Sequence, residues 1–247
     1  VLYGILKLAE KKQKKKVNIR KKDWLLFAWI GFIGYFISIT CQFIGTKLSD
    51  AHTGSLVTSA TPAFMVIFAA LILKEKLTAR RLLSTIIATI GVIIVIGWDI
   101  EIGSYFIGTI ILVGAAITWA LLSIYVKSAS IQFSSLVITT YAIFFSLFFI
   151  TPFMIWELQT SSIGTVNTYV ILGVLYLGIV STAGAFFLWN KGLELIDASI
   201  GSLFFFFQPI VGSLLGWLLL NETLNSNFFI GGILIICSVL ITTFEKK

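Results

Sequence analysis

Residues 45–77 read GTKLSDAHTGSLVTSATPAFMVIFAALILKEKL, and residues 192–224 read GLELIDASIGSLFFFFQPIVGSLLGWLLLNETL. At a constant offset of 147 residues, without a gap, they agree at 12 of 33 positions. Gly45 falls on Gly192, Asp50 and Ala51 on Asp197 and Ala198, Pro62 on Pro209, Glu75 on Glu222 and Leu77 on Leu224. A composition this skewed gives about three identities by chance, so the chain carries two copies of one unit. Proline is rare in the middle of an apolar helix, so its recurrence weighs more than a matched leucine.

The rest of the 247-residue chain explains where such a unit can exist. It is 58% apolar and only 12% charged, with a mean hydropathy of +1.01. Soluble domains carry about 25% charged residues. The composition excludes a secreted disulfide scaffold, a disordered chain and a nucleic-acid binder, because a basic patch needs a soluble face to display its +7 charge. Cys41 and Cys237 both lie in apolar runs and suggest neither a disulfide framework nor a metal site. No cofactor or metal is expected. Long non-alternating runs such as IIATIGVIIVIG exclude a β-barrel. The chain is an all-α integral membrane protein.

Apolar runs place eight membrane spans at 24–46, 52–73, 82–98, 104–126, 134–156, 168–190, 198–220 and 228–244. With the basic run KLAEKKQKKKVNIRKK (residues 7–22) in the cytoplasm, 17 of the 18 Lys and Arg residues fall inside and only Lys47 falls outside. That asymmetry sets the orientation, with the C-terminus cytoplasmic and the host the plasma (cytoplasmic) membrane. The basic run reads as a topology anchor against anionic headgroups, the alternative being a specific phosphoinositide or partner site.

The first visible span then runs outward and its copy, 168–190, runs inward, so the two units are inverted. Inversion without a linker helix requires an odd number of spans per unit. The second unit, residues 103–247, has five. The first, residues 1–98, shows the end of a second helix and helices three to five. The expectation is an N-terminally truncated ten-helix protein with an inverted five-plus-five repeat. By the repeat arithmetic, about 45 residues precede Val1.

Each unit ends in small residues, proline, an apolar run, Glu-x-Leu and a Gly-containing apolar helix. The stretches are SLVTSATPAFMVIFAALILKEKLTARRLLSTIIATIGVIIVIG (55–97) and SLFFFFQPIVGSLLGWLLLNETLNSNFFIGGILIICSVLITT (202–243). Together with GTIILVGAAITWALLSIYVK (108–127), these resemble the EamA-type transporters of the drug/metabolite transporter superfamily. The resemblance covers the chain from about Trp24 onward. It implies an alternating-access carrier for a small organic metabolite or drug, with export common in the family.

Pro62 and Pro209 each remove a backbone hydrogen bond, which frees the carbonyls of Thr58 and Phe205 near mid-span. In lipid, such carbonyls need protein, water or a ligand. Inverted-repeat transporters bind substrate at the repeat interface near the midplane. Thr58, Thr61 and Gln208 are therefore the leading substrate-binding candidates, joined by Gln42, Trp119 and Ser181 on other spans. Thr40, Thr118, Ser123, Tyr125, Tyr141 and Thr182 are further lining candidates. The plainer reading gives the prolines to packing and the hydroxyls to their own helices. Lys191 reads as a residue reaching toward headgroups, and His52 as interfacial. Glu75 and Glu222 end equivalent helices on opposite sides and are gate candidates, though the cations around Glu75 also fit a structural turn. Gly212–Gly216 forms a GxxxG pattern that reads as close helix packing and leaves a homodimer open.

No charged residue occupies the middle of any visible span. Proton coupling then needs a residue upstream of Val1, or the protein is an exchanger or facilitator. Rival classes fare worse. One histidine cannot make HExxH, and the carboxylates are scattered singly, which argues against an intramembrane enzyme. A sugar-phosphate or nucleotide-sugar antiporter would hold its phosphate with buried cations, and the span centres have none. The expected partners are the lipid bilayer and a neutral, zwitterionic or cationic amino-acid-like substrate.

Overall fold

The computed structural model describes residues 1–13, 19–49, 54, 57–96, 106–160, 164–208, 211, 214, 218 and 226–243. The described elements are helical, as lipid demands of a chain that must satisfy its own backbone. In order they are α1 (Leu2–Gln13), α2 (Lys21–Leu48), α3 (Thr61–Ile72), α4 (Ala79–Ile96), α5 (Phe106–Ala129), α6 (Ser135–Thr160), α7 (Thr168–Leu195), α8 (Ala198–Ser202) and α9 (Ser226–Thr243). Among the described residues, α2, α5, α6 and α7 are long and apolar enough to cross a membrane.

Two of these spans are locally underwound into π-helix, at Gly31–Ser38 in α2 and Tyr176–Gly184 in α7. The repeat offset lays Gly31 on Gly178, so the two wide segments fall at matching places in the two copies. Long π segments are uncommon and concentrate at functional sites.

The chain divides into two compact units. One holds Val1–Phe36 and Tyr125–Leu195. Here α2 and α6 run in the same direction: Trp24 meets Tyr141, Gly31 meets Ala142 and Phe36 meets Phe153. The contact at Gly31 depends on having no side chain, since a Cβ there would stand 2.3 Å from the Ala142 carbonyl oxygen. α6 and α7 run oppositely, with Ser135 against Glu194 and Thr139 against Asn190. It follows that α2 and α7, the two copies, run in opposite directions in this unit. Arg20 opens α2: the Asp23 carboxylate accepts from the Arg20 amide at 2.9 Å, and the guanidinium reaches Gln132 at 2.9 Å.

The other unit holds Ile37–Ile124 and Ile196–Lys247. Here the C-terminal half of α2 lies antiparallel to α5, with Ser38 donating to the Ala115 carbonyl at 2.9 Å and Gly45 against Gly108 and Leu112. α4 and α9, whose bounds are related by the repeat offset, pack on each other. A Cβ on Gly91 would stand 2.9 Å from the Gly231 carbonyl oxygen. Ala88 and Ile235, also repeat mates, are fully buried in one cluster with Leu203 and Phe206. Lipid tails are as apolar as leucine, so close packing of this kind supplies the cohesion.

The region expected at 52–73 as one kinked helix is built differently. The chain turns at Ser59–Ala60, and Pro62 sits in the first turn of α3. A first-turn proline lacks only an amide hydrogen that would be unpaired anyway, so it begins a helix there and does not bend one. In the second copy, α8 tightens into a 3₁₀ turn at Leu203–Phe206, just before Pro209. Pro209 itself lies outside the described residues.

Candidate functional site

Three polar constellations stand out, each within one unit. The first is at the broken helix. The Thr58 hydroxyl donates to the Gly54 carbonyl at 2.8 Å, and the Thr61 hydroxyl donates to the Thr58 carbonyl at 2.6 Å. The Thr58 carbonyl, four residues before Pro62, is therefore taken by the side chain one residue before the proline. Thr61 and Pro62 are buried, and Thr58 is half-buried.

The second constellation is a charge cluster between α3 and α8. Lys74 takes left-handed backbone (φ 56°), and the Glu75 amide bonds back to the Ala69 carbonyl at 3.1 Å. This turn places the Glu75 carboxylate over the start of α8. There it accepts from the amides of Ala198 (2.8 Å) and Ser199 (3.2 Å) and from the Ser199 hydroxyl. Arg81, at the start of α4, reaches Asp197 at 2.8 Å, the Ser199 hydroxyl at 2.7 Å and Glu75 at 3.6 Å. The Arg81 and Glu75 side chains are only 11% and 13% exposed, so little solvent screens them.

The third lies among α2, α6 and α7. The Asn190 amide donates to the Tyr35 and Thr139 hydroxyl oxygens, both at 2.8 Å. Thr139 donates in turn to the Ser135 carbonyl at 2.6 Å. Ser135 opens α6, and its amide and hydroxyl both donate to the Glu194 carboxylate. Lys191 pairs with the other Glu194 oxygen, so this cation serves a carboxylate one turn away in place of a headgroup. Nearby, a cavity of about 700 Å³ is lined by Trp24, Thr140, Tyr141, Phe144, Thr182 and Ala183, among others.

The residues singled out from sequence distribute as follows. Thr58 and Thr61 come together as described. Trp119 is half-buried, its ring edge-on to Phe205 at 6.4 Å, three residues before Gln208. Gln208, Gln42 and Ser181 are exposed, Ser181 within the second π segment. Tyr141 and Thr182 share the cavity wall. Thr118 and Ser123 bond carbonyls of their own helix. Thr40 keeps a buried hydroxyl with no hydrogen-bond partner among the described residues. Glu222, His52 and Gly212–Gly216 lie outside the described residues. Arg81 was among the cations expected around Glu75, and it does pair with Glu75. Sequence reasoning missed Asp197 and Ser199 in that cluster, and Tyr35, Thr139 and Glu194 around Asn190. Asp197 had a signal, its identity with Asp50 across the repeat.

Comparison with known proteins agrees with this architecture. The EamA-like transporter family matches over residues 1–97 and again over 106–244. The permease-like protein YdzE of Bacillus subtilis (strain 168) is 60% identical over 73 residues, which is 30% of this chain and 94% of that protein. Uncharacterized transporter YetK of the same organism is 26% identical over 233 residues, covering 93% of this chain and 71% of its own length. Uncharacterized transporter YoaV, also of that organism, is 23% identical over 239 residues, covering 94% and 80%. A chain in a solved crystal structure superposes with a TM-score of 0.80 at 18% identity, over 96% of this chain and 82% of the other. That likeness shows a shared fold.

Proposed function

The chain belongs to the EamA-like transporter family, and from that premise we propose that it carries a small organic metabolite or drug across the cytoplasmic membrane by alternating access, as an exporter. Membership makes it an integral membrane transporter of the drug/metabolite transporter superfamily, with relatives named as transporters and not as enzymes. The finer reading is an inverted repeat whose two copies exchange conformations, with the C-terminus in the cytoplasm.

The observation that carries this reading is the opposed direction of α2 and α7, repeat mates with π segments at matching places. The packed α4 and α9 pair adds support. The ends joined by polar contacts agree as well: Arg20 with Gln132, Ser135 with Glu194, and Glu75 with Ala198 are pairs the charge pattern puts on the cytoplasmic side. In this reading the Glu75–Arg81–Asp197–Ser199 cluster is a latch that transport must open. Gln208 and Thr61, beside the paired prolines, contact the substrate.

The test is counterflow in liposomes. A carrier loaded with unlabelled substrate accumulates labelled substrate transiently, because each return step exchanges one molecule for another, and a channel does not. Labelled amino acids and cationic compounds are screened with and without a pH gradient. Flux that shows no stimulation by substrate on the opposite side would sink alternating access.

A further inference from the structure

Asn190 is fully buried among membrane helices, yet its hydrogen bonding is incomplete. The orientation of its amide follows from its neighbours. Thr139 spends its one hydroxyl hydrogen on the Ser135 carbonyl, so toward Asn190 it can only accept. The NH₂ edge of Asn190 must therefore face Thr139 and Tyr35, which leaves Oδ1 on the opposite edge. That oxygen has no hydrogen-bond partner among the described residues. A lone buried amide oxygen is costly, and buried polar groups left in this state call for an explanation.

The surroundings supply one. Thr140, next to Thr139 on α6, lines the cavity of about 700 Å³, and so does Ala183 on α7. That volume lies within the range of small-molecule sites, roughly 300–1,000 Å³. Ala183, Phe186 and Asn190 follow one another at helical spacing along one face of α7. Phe186 comes between the cavity-lining residue and the amide along this face, its ring stacked on Tyr35 at 4.9 Å and 16°. The cavity wall carries Trp24 and Tyr141, whose ring faces favour a cation.

We propose that Asn190 Oδ1 is a substrate subsite that accepts a hydrogen bond from an N–H group of the transported molecule, an amine by class, reached from the aromatic cavity when the Tyr35–Phe186 pair parts. The inference rests on the carrier reading above for its physiological meaning, and its test does not need transport.

Purified protein in detergent is titrated by calorimetry with phenethylamine and with its N,N,N-trimethyl derivative. Both probes carry the same charge and ring, and only the first has N–H donors. The wild type should bind the amine roughly 5- to 30-fold more tightly, the ratio that one such hydrogen bond supports. Asn190→Leu, near in volume, should bring the two affinities together. Asn190→Asp offers a charged acceptor and should widen the ratio. The Asp variant alone decides the matter if the Leu variant does not fold. Equal affinities in the wild type, binding of neither probe, a preference that survives Asn190→Leu, or a ratio that Asn190→Asp leaves unchanged would each overturn the subsite and assign the oxygen to an ordered water. Counterflow without amine preference removes the subsite and keeps the carrier. Amine binding without any flux does the reverse.

Discussion

Arg81 and Glu75 offer the sharpest test of whether the charge cluster acts as a unit. The perturbation is a double-mutant cycle of Arg81→Met and Glu75→Gln. Removing the guanidinium deletes contacts of 2.8 Å to Asp197, 2.7 Å to Ser199 and 3.6 Å to Glu75, and leaves two carboxylates facing the start of α8 without a cation. Breaking a well-buried pair costs about 3–5 kcal/mol and an exposed one about 0.2–1 kcal/mol. Arg81 and Glu75 are mostly enclosed, but Asp197 is 33% exposed. The loss for Arg81→Met should therefore fall in between, at about 2–3 kcal/mol. Glu75→Gln keeps one acceptor oxygen for the three donors of Ala198 and Ser199, so it should cost about 2 kcal/mol. In the double variant, Gln no longer suffers from the missing cation, and the combined loss should undershoot the sum by about 1 kcal/mol or more. Reversible unfolding in mixed micelles gives the four free energies. Additivity within about 0.5 kcal/mol would mean that carboxylate and guanidinium act independently, and the latch would be refuted.

Three further outcomes follow from other parts of the molecule. Gly31→Ala puts a methyl group 2.3 Å from the Ala142 carbonyl oxygen, and should lower stability by about 1–3 kcal/mol through separation of α2 from α6; an unchanged melting temperature in detergent would contradict that packing. Gln208→Ala and Thr61→Ala, assayed in liposomes with a confirmed substrate, should weaken apparent affinity about 5- to 30-fold each while expression holds; unchanged affinity in both would move the site away from the paired prolines. A cysteine replacing exposed Lys76 should react with an impermeant maleimide only from the cytoplasmic side, and labelling of intact cells at that position would reverse the proposed orientation.

Much of the fold was legible because the membrane leaves few choices. Spans expected at 24–46, 104–126, 134–156 and 168–190 correspond to α2, α5, α6 and α7, whose ends run a few residues further. Those ends carry capping and charged groups, such as Arg20 with Asp23 and Lys191 with Glu194, that hydropathy counts as loop. The break before Pro62 was not legible. A proline inside an apolar run is compatible with a kink or with a fresh helix start, and what decides is the Thr61 hydroxyl closing on the Thr58 carbonyl. The π segments leave no local signature either. The first goes with the close approach of Gly31 to the Ala142 backbone, which is settled in three dimensions.

The candidate site was legible by residue type more than by position in the span. Mid-span position makes Thr58, Thr118 and Ser123 candidates, yet each bonds a carbonyl of the preceding turn, as Thr85 and Thr89 also do. A hydroxyl in a helix can satisfy itself that way, so its presence in a span says little about a ligand. Carboxylates and amides cannot donate to the preceding turn as a hydroxyl does; some pair locally, as Asp23 does with Arg20 and Glu194 with Lys191, and others reach across to another element. Glu75 reaches a residue 123 positions away, Arg81 one 116 away, and Asn190 one 155 away. By the same rule Gln42 and Gln208 are informative among the polar residues of their spans. Both are exposed, and neither hydrogen-bonds a described residue, which suits the substrate contact proposed for Gln208. A polar side chain that cannot serve its own helix marks either a joint or a site, and among the described residues Glu75 and Arg81 are joints whose partners are in place.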